Sequence, residues 1–241
     1  MAFPAVVGTP TESATTTDAT THTINRPAGV SGQLTIVIIG FDGGNAVVFT
    51  PPSGYTNLLF RLDQSTNHGS VAYWHAEDGT EGTSTSWTTD DSEKLCAIVY
   101  SISGAAVPGT QPPEATTFSF VSASANPDPP SLTPTGGAKD YLWIAGFNQN
   151  GEEANDDTWV TAVPTNYGTA RQTTTGTGGI ASTNCALATA DRNLNAASED
   201  PATFTAAAQN YTSFTIAIHP AGAAAASLIY PPRMATALIV R

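Results

Sequence analysis

The feature that most constrains this chain is the segment 32–41, which contains five consecutive β-branched residues (35–39) and ends in Gly-Phe before a polar loop. A second apolar run, over residues 139–147, ends in Gly-Phe in the same way. Continuous apolar runs of this length, bounded by turn residues, indicate strands buried in a core. We therefore expect the two runs to be central strands of two layers that face one core.

Further weak matches between the two parts of the chain occur in the same order. The shift between matched positions grows slowly, as insertions in loops between equivalent strands would produce. Four or five strands form a layer that cannot bury its own face, so two such halves are expected to pack together. The matched segments are residues 52–55 with 164–167, 71–77 with 185–191, 87–88 with 204–205, and 97–99 with 216–218.

The chain lacks the periodicity of helices and is interrupted every few residues by its 17 prolines and 21 glycines. This pattern predicts an all-β chain, namely a jelly-roll-like β-sandwich built from two similar halves, with extended terminal arms. Two independent domains are the alternative. The four tryptophans, Trp74, Trp87, Trp143 and Trp159, are expected to anchor the core. The predicted parts are an N-terminal strand or arm (1–31), the sandwich (32–220, with halves 32–104 and 138–220 and a Pro-rich crossover 105–137) and a C-terminal arm (221–241).

The charge balance limits the classes of partner. A formal net charge of -12 with eight Lys+Arg disfavours nucleic acids and anionic membranes, because both require a cationic surface. No run reaches the roughly 18 apolar residues of a membrane helix, so we expect no membrane insertion. The first residues have neither a basic region nor a long apolar core, and are not expected to form a signal peptide.

The two cysteines, Cys96 and Cys185, lie in apolar strand-like runs. We expect two buried free thiols that act as small apolar side chains. A disulfide that joins the two halves is the alternative.

Several motifs resemble a class of tailed-bacteriophage and prophage surface proteins. They are the Pro-Ser-Gly-Tyr loop at 52–55, the acidic loop Ala-Glu-Asp-Gly at 76–79, the Trp-bearing strand around Trp87, and a second half that ends in a strand followed by Pro220. The resemblance covers roughly residues 32–220 and departs from the pattern in the second half, at Thr165-Asn166 and at Phe204.

The resemblance implies a non-enzymatic bacteriophage structural protein on the virion exterior, either a capsid decoration or a tail-associated subunit. Its implied partners are other virion proteins and further copies of itself as a homo-oligomer. A host receptor-binding or carbohydrate-binding module, such as a tail fibre that binds a surface glycan, is the alternative.

No catalytic constellation is recognisable, and we expect neither an enzyme nor a bound cofactor. The four histidines have no metal-binding spacing, and His75 is expected to be a hydrogen-bonded polar residue rather than a ligand. Acidic clusters at 77–81 and 152–157 are expected to be solvated loop tips, with Ca²⁺ binding or glycan hydrolysis as alternatives. The candidate ligand-loop residues, whose aromatics could stack on sugars or serve in packing, are Tyr55, Glu77, Asp78, Glu81, Trp159 and Tyr167.

The last segment of the chain is apolar, and a free apolar terminus would favour aggregation. It is therefore expected either to add a strand to its own sheet or to reach a neighbouring subunit. The candidate assembly residues are Leu228, Ile229, Tyr230, Leu238, Ile239 and Val240.

Overall fold

A computed structural model shows an all-β protein with two antiparallel sheets, as the sequence predicts. Within the part of the chain that it describes, no helix is long and apolar enough to cross a membrane. The structure describes residues 2–43, 47–63, 68–107, 109–116, 119–151, 159–176 and 181–222.

Within these residues, the first sheet has seven strands in the order β1-β7-β3-β6-β5, and β2 and β4 also pair with β7. Both β1 and β2, which fall within the predicted N-terminal strand or arm, thus belong to this sheet. The strands are β1 (Ala5–Val6), β2 (Thr11–Asn25), β3 (Leu34–Phe41), β4 (Phe49–Thr50), β5 (Thr56–Asp63), β6 (His68–Ala76) and β7 (Ser84–Ser103).

The second sheet has six strands in the order β11-β12-β10-β13-β8, and β9 also pairs with β13. Its strands are β8 (Glu114–Ala115), β9 (Ser119–Ser124), β10 (Lys139–Gly151), β11 (Arg171–Thr174), β12 (Ala181–Ala196) and β13 (Gln209–Ile218).

The strand orders of the two sheets correspond. The two apolar runs singled out in the sequence become β3 and β10, and each lies between two long antiparallel partners. The strands of each sheet come from one contiguous half of the chain. This strand order does not confirm the prediction of a jelly roll. That the halves are related by duplication stays a prediction.

The central core lies between the sheets. Side chains alternate along a strand, so every second residue of β3 and of β10 points to the opposite sheet. Hydrogen bonds also join the sheets: Tyr100 Oη lies 2.7 Å from Thr189 Oγ1, and Asn148 Nδ2 donates to Gly69 O at 2.8 Å. The core contains Leu34, Ile36, Ile38, Cys96, Ile98, Tyr100 and Ile102 from the first sheet, and Leu142, Ile144, Cys185, Leu187, Phe214, Ile216 and Ile218 from the second.

The outer face of each sheet is buried as well. The ribbon of β2 and β7 bends back over the first sheet, which brings the two ends of β2 together: Thr11 Oγ1 donates to Asn25 O at 2.9 Å. Trp87 packs in this outer layer, and Trp143 packs under loops that cover the second sheet. These two tryptophans therefore anchor the outer clusters and not the core between the sheets.

Cys96 and Cys185 face each other across the sheets as free thiols. Their sulfur atoms are 3.2 Å apart, longer than the roughly 2.05 Å of a disulfide bond. Burial raises the pKa of the Cys96 thiol well above its ordinary value, which disfavours the reactive thiolate.

The glycines of the two Gly-Phe endings lie on the inner faces of the sheets. A Cβ on Gly40 would approach Cys96 Sγ to 3.2 Å and clash with the Asn148 amide. A Cβ on Gly146 would lie 2.7 Å from the backbone oxygen of Ala188 and would clash with the Phe214 ring. Both positions thus require glycine because of space and not because of backbone conformation.

Replacing Gly146 with Ala should lower the free energy of unfolding by about 1–3 kcal/mol, because a backbone oxygen cannot move aside as a flexible side chain can. Urea denaturation measures the change. Gly82→Ala is the matched control, since a Cβ at Gly82 meets no atom within 4 Å. Equal stability of the two variants would contradict this account of the packing around Gly146.

Candidate functional site

The polar cluster at the end of β6 begins with His75 and Glu77. They are two residues apart and project from the same side of the chain. Thr35 is the pairing partner of His75 on β3. Beyond β6, the loop that contains Glu77 and Glu81 runs beside the loop that contains Gly29 and Gly32, since Gly29 N donates to Glu81 O at 3.2 Å and Gly32 N donates to Glu77 O at 3.1 Å.

A buried ion pair joins Arg26 to Glu77, whose side chains are 2% and 0% exposed. Arg26 Nη2 and Thr35 Oγ1 both donate to Glu77 Oε1. Arg26 Nη1 also donates to Tyr55 Oη at 2.8 Å. Burial raises the pKa of Glu77, and the hydrogen bonds from Thr35 and Arg26 oppose that effect.

Glu81 closes the acidic loop. Its Oε1 accepts from Asp78 N at 2.8 Å, and its Oε2 accepts from Gly79 N at 2.9 Å. Although burial acts to raise the pKa of Glu81, these backbone donors and His75 hold it well below its usual range. Glu81 is therefore ionised at any ordinary pH. Asp78 is exposed and accepts from Thr80 N and Oγ1 at 2.8 and 2.6 Å.

The His75 ring is fixed on both of its nitrogens. Nδ1 lies 3.0 Å from Gly54 O, which can only accept, so Nδ1 carries the proton. Nε2 lies 2.9 Å from Glu81 Oε1. The ring also stacks on Tyr55, with centroids 4.8 Å apart and an interplanar angle of 21°. These contacts hold Nε2 toward the two carboxylates.

The candidate aromatic residues serve in packing. Tyr55 follows a turn in which Gly54 has φ +88, and Tyr167 follows a matching turn in which Asn166 has φ 68. The departure at Asn166 therefore keeps the backbone conformation of the first half, because asparagine tolerates the left-handed region.

Tyr167 is 8% exposed and donates to Glu199 Oε1 at 3.1 Å. Trp159 packs edge-on against Phe147 at 5.5 Å. The structure does not bring Trp159 and Tyr167 together with the cluster at the end of β6, because they belong to the outer cluster of the second sheet.

A second acidic pair lies where β3 and β7 meet at the bend. Burial, together with the neighbouring carboxylate of Asp42, raises the pKa of Glu93 to about 7. The protonated Glu93 side chain donates to Asp42, whose own pKa is raised by burial. Asp91 and Asp18 add to the negative charge around the pair.

The sequence-based expectation of a solvated loop tip is wrong for Glu77, which is buried in an ion pair. The expectation fits Asp78, which is exposed, but it does not fit Glu81, whose side chain closes the loop. The second acidic cluster, at 152–157, and the candidate assembly residues Leu228, Ile229, Tyr230, Leu238, Ile239 and Val240 lie outside the described residues.

The sequence reasoning missed Arg26 and Thr35 and did not connect His75 with the carboxylates. One signal was available: His75 and Glu77 share a face of any strand that contains both. The position of Arg26 had no comparable signal, because its contact with Glu77 depends on the path of the loop that follows β2.

Comparisons of the chain with protein families, with curated proteins and with solved structures give no match.

Arg26→Ala should lower the free energy of unfolding by about 3–5 kcal/mol, because it leaves the Glu77 carboxylate buried without a counter-charge. Chemical denaturation at pH 7 measures the loss. The double variant Arg26→Met with Glu77→Leu should recover most of it, since an apolar pair needs no counter-charge. A loss below about 1 kcal/mol for Arg26→Ala would contradict the buried pair.

Glu93→Gln should stabilise the protein at pH 8 more than at pH 5. Because the pKa of Glu93 is raised in the folded protein, its bound proton stabilises the fold. This stabilisation is fully present below pH 4.5, the ordinary pKa of the group, and is lost as the pH rises through about 7. Glutamine keeps a hydrogen-bond donor at every pH. The free energy of unfolding of Glu93→Gln relative to wild type should therefore be higher at pH 8 than at pH 5 by on the order of 2–3 kcal/mol. Urea denaturation at the two pH values measures it, with exposed Asp200→Asn as control; a pH-independent difference would refute it.

Proposed function

We propose that this chain is a non-enzymatic structural protein on the exterior of a tailed-bacteriophage particle, which assembles through its termini. The observation that supports assembly through the termini is their position. Both ends of the described chain lie beside Gly104, at one end of the sandwich.

The N-terminal side reaches Gly104 through β1, where Ala5 pairs with Ser103. Phe3 follows this path, since a Cβ on Gly104 would lie 3.6 Å from Phe3 O. The C-terminal side reaches it after β13, where Ala221 N donates to Gly104 O at 2.8 Å. Any segment that follows Gly222 therefore starts next to the N-terminal strand.

The same end of the sandwich carries exposed apolar side chains. Phe3 and Val7 are each 37% exposed, and Val107 is 71% exposed. Val107 belongs to this end because the preceding residue, Ala106, donates its N–H to His219 O at 2.9 Å. Exposed apolar side chains beside the start of an apolar segment favour burial of both against a partner.

The charge of the chain favours the same mode of assembly. A net charge of -12 makes copies repel one another over the Debye length, so contacts between copies must come from apolar or backbone groups. Decoration and tail subunits of a virion need such contacts in a fixed geometry. The bacteriophage assignment itself depends on the sequence resemblance and is part of the proposal.

Deleting residues 227–241 should leave the sandwich folded and abolish incorporation into particles, because the apolar contact with the neighbour is lost. Circular dichroism checks the fold, and mass spectrometry of purified particles counts the copies. Phe3→Ser with Val107→Ser should reduce the copy number, while the exposed control Asp200→Asn should not. Normal incorporation of the truncated chain would refute the terminal assembly.

A further inference from the structure

Three metal-ligating side chains converge at the end of β6. One ligand atom from each of His75, Glu77 and Glu81 lies within 4.8 Å of the other two. We propose that these three residues bind one divalent transition-metal ion, for which Zn²⁺ is the best match. Two separate features of the cluster support this site.

The first feature is the contact between His75 and Glu81. Nδ1 lies 3.0 Å from Gly54 O, and Nε2 points at Glu81 Oε1 from 2.9 Å. That carboxylate also accepts two backbone N–H groups. A cation, whether the proton of a hydrogen bond or a metal ion, satisfies the contact between Nε2 and the carboxylate. A ring whose second nitrogen donates to a backbone carbonyl is also the usual arrangement of a metal-binding histidine.

The second feature is the free oxygen of Glu77. The side chain is fully buried, and Arg26 and Thr35 both donate to Oε1. Among the described residues no N–H or hydroxyl donor reaches Oε2, and the Glu81 carboxylate lies within hydrogen-bonding reach of Glu77. A buried carboxylate oxygen without a donor destabilises the fold. A cation beside Oε2 would supply the missing partner without disturbing the ion pair at Oε1.

Gly29 lets the carboxylates of Glu77 and Glu81 come close to each other. A Cβ at this position would lie 2.6 Å from Glu77 Oε2 and would clash with Glu81 Oε2. The two oxygens therefore occupy the space that a side chain would need, and a larger residue would displace them. Small shifts of the three side chains are needed for ligand distances of about 2.0–2.2 Å.

The ligand set selects the class of ion. Two carboxylates, Glu77 and Glu81, face the single guanidinium of Arg26, which favours a cation over an anion. One imidazole nitrogen with two carboxylate oxygens suits Zn²⁺ and related transition metals. Ca²⁺ prefers six to eight oxygen ligands, so the geometry favours zinc over the Ca²⁺ alternative from the sequence.

Access to the site is also suitable. The side chains of His75 and Glu81 are 15% and 13% exposed, so an ion can reach them from solvent. Arg26 weakens the attraction for a cation but is held on the far oxygen of Glu77 and on Tyr55 Oη. A bound ion would join β6 to the loop that contains Glu77 and Glu81 and so stabilise this end of the first sheet.

The test uses the full-length chain, stripped of metal with a chelator and titrated with ZnCl₂ by calorimetry. We expect one ion per chain and a higher melting temperature with Zn²⁺, since a ligand of the native state stabilises it. Glu81→Gln and His75→Gln should each weaken binding by about tenfold or more, as loss of a supporting contact already does in other sites. Asp78→Asn, which removes an exposed charge from the same loop, should bind as wild type does. CaCl₂ should not compete.

X-ray absorption of the zinc-bound wild-type chain gives an independent result even where a variant fails to fold. We expect imidazole nitrogen and oxygen ligands at about 2.0–2.1 Å. A sulfur shell at about 2.3 Å would place the ion on Cys96 and Cys185 and overturn the proposal. Absence of binding, or an equal loss of affinity in Asp78→Asn, would overturn it as well.

Discussion

Each sheet of this protein is apolar on both faces, and the rest of the architecture depends on covering both. All eight residues of β3 are buried, which a sheet with one face in water would not allow. One face of each sheet is covered by the other sheet. The second face requires a further layer, supplied by the bent β2–β7 ribbon on one side and by loops on the other. The protein therefore has four layers, which are the β2–β7 ribbon, the first sheet, the second sheet and the loops that cover the second sheet.

The all-β fold and its two central strands could be predicted, because a continuous apolar run between turn residues indicates a buried strand. The runs at 32–41 and 139–147 had no polar alternation and became the central strands β3 and β10. The bend of β2 and β7 was not predictable, since no local signal shows that Thr11 and Asn25 meet. Trp74 packs against the core between the sheets, as expected, but Trp87, Trp143 and Trp159 belong to the outer clusters. Sequence shows that Trp87 is apolar but not which face it covers.

The polar cluster is a consequence of the same layering. Where the outer cover of the first sheet ends, the face of β3 and β6 carries Thr35 and His75 in place of apolar residues. Burial there forces each charge to find a partner, which explains why Arg26, Tyr55, Glu77 and Glu81 form one connected network. Its members come from distant parts of the chain, so the topology was needed to bring them together. His75, near the end of β6, and Glu77, two residues further on, were the part of the cluster that the sequence could indicate.

The completion of each sheet by one contiguous half has a consequence for synthesis. The first sheet has all its strands once residue 103 has emerged, but its inner face, with Ile36, Ile38 and Ile98, stays uncovered until the second half follows. At ordinary rates of translation that interval lasts roughly 5–25 s. Two nascent chains on one messenger could pair their first sheets during this time. The protein thus has to avoid premature dimerisation through the surface that later becomes its core.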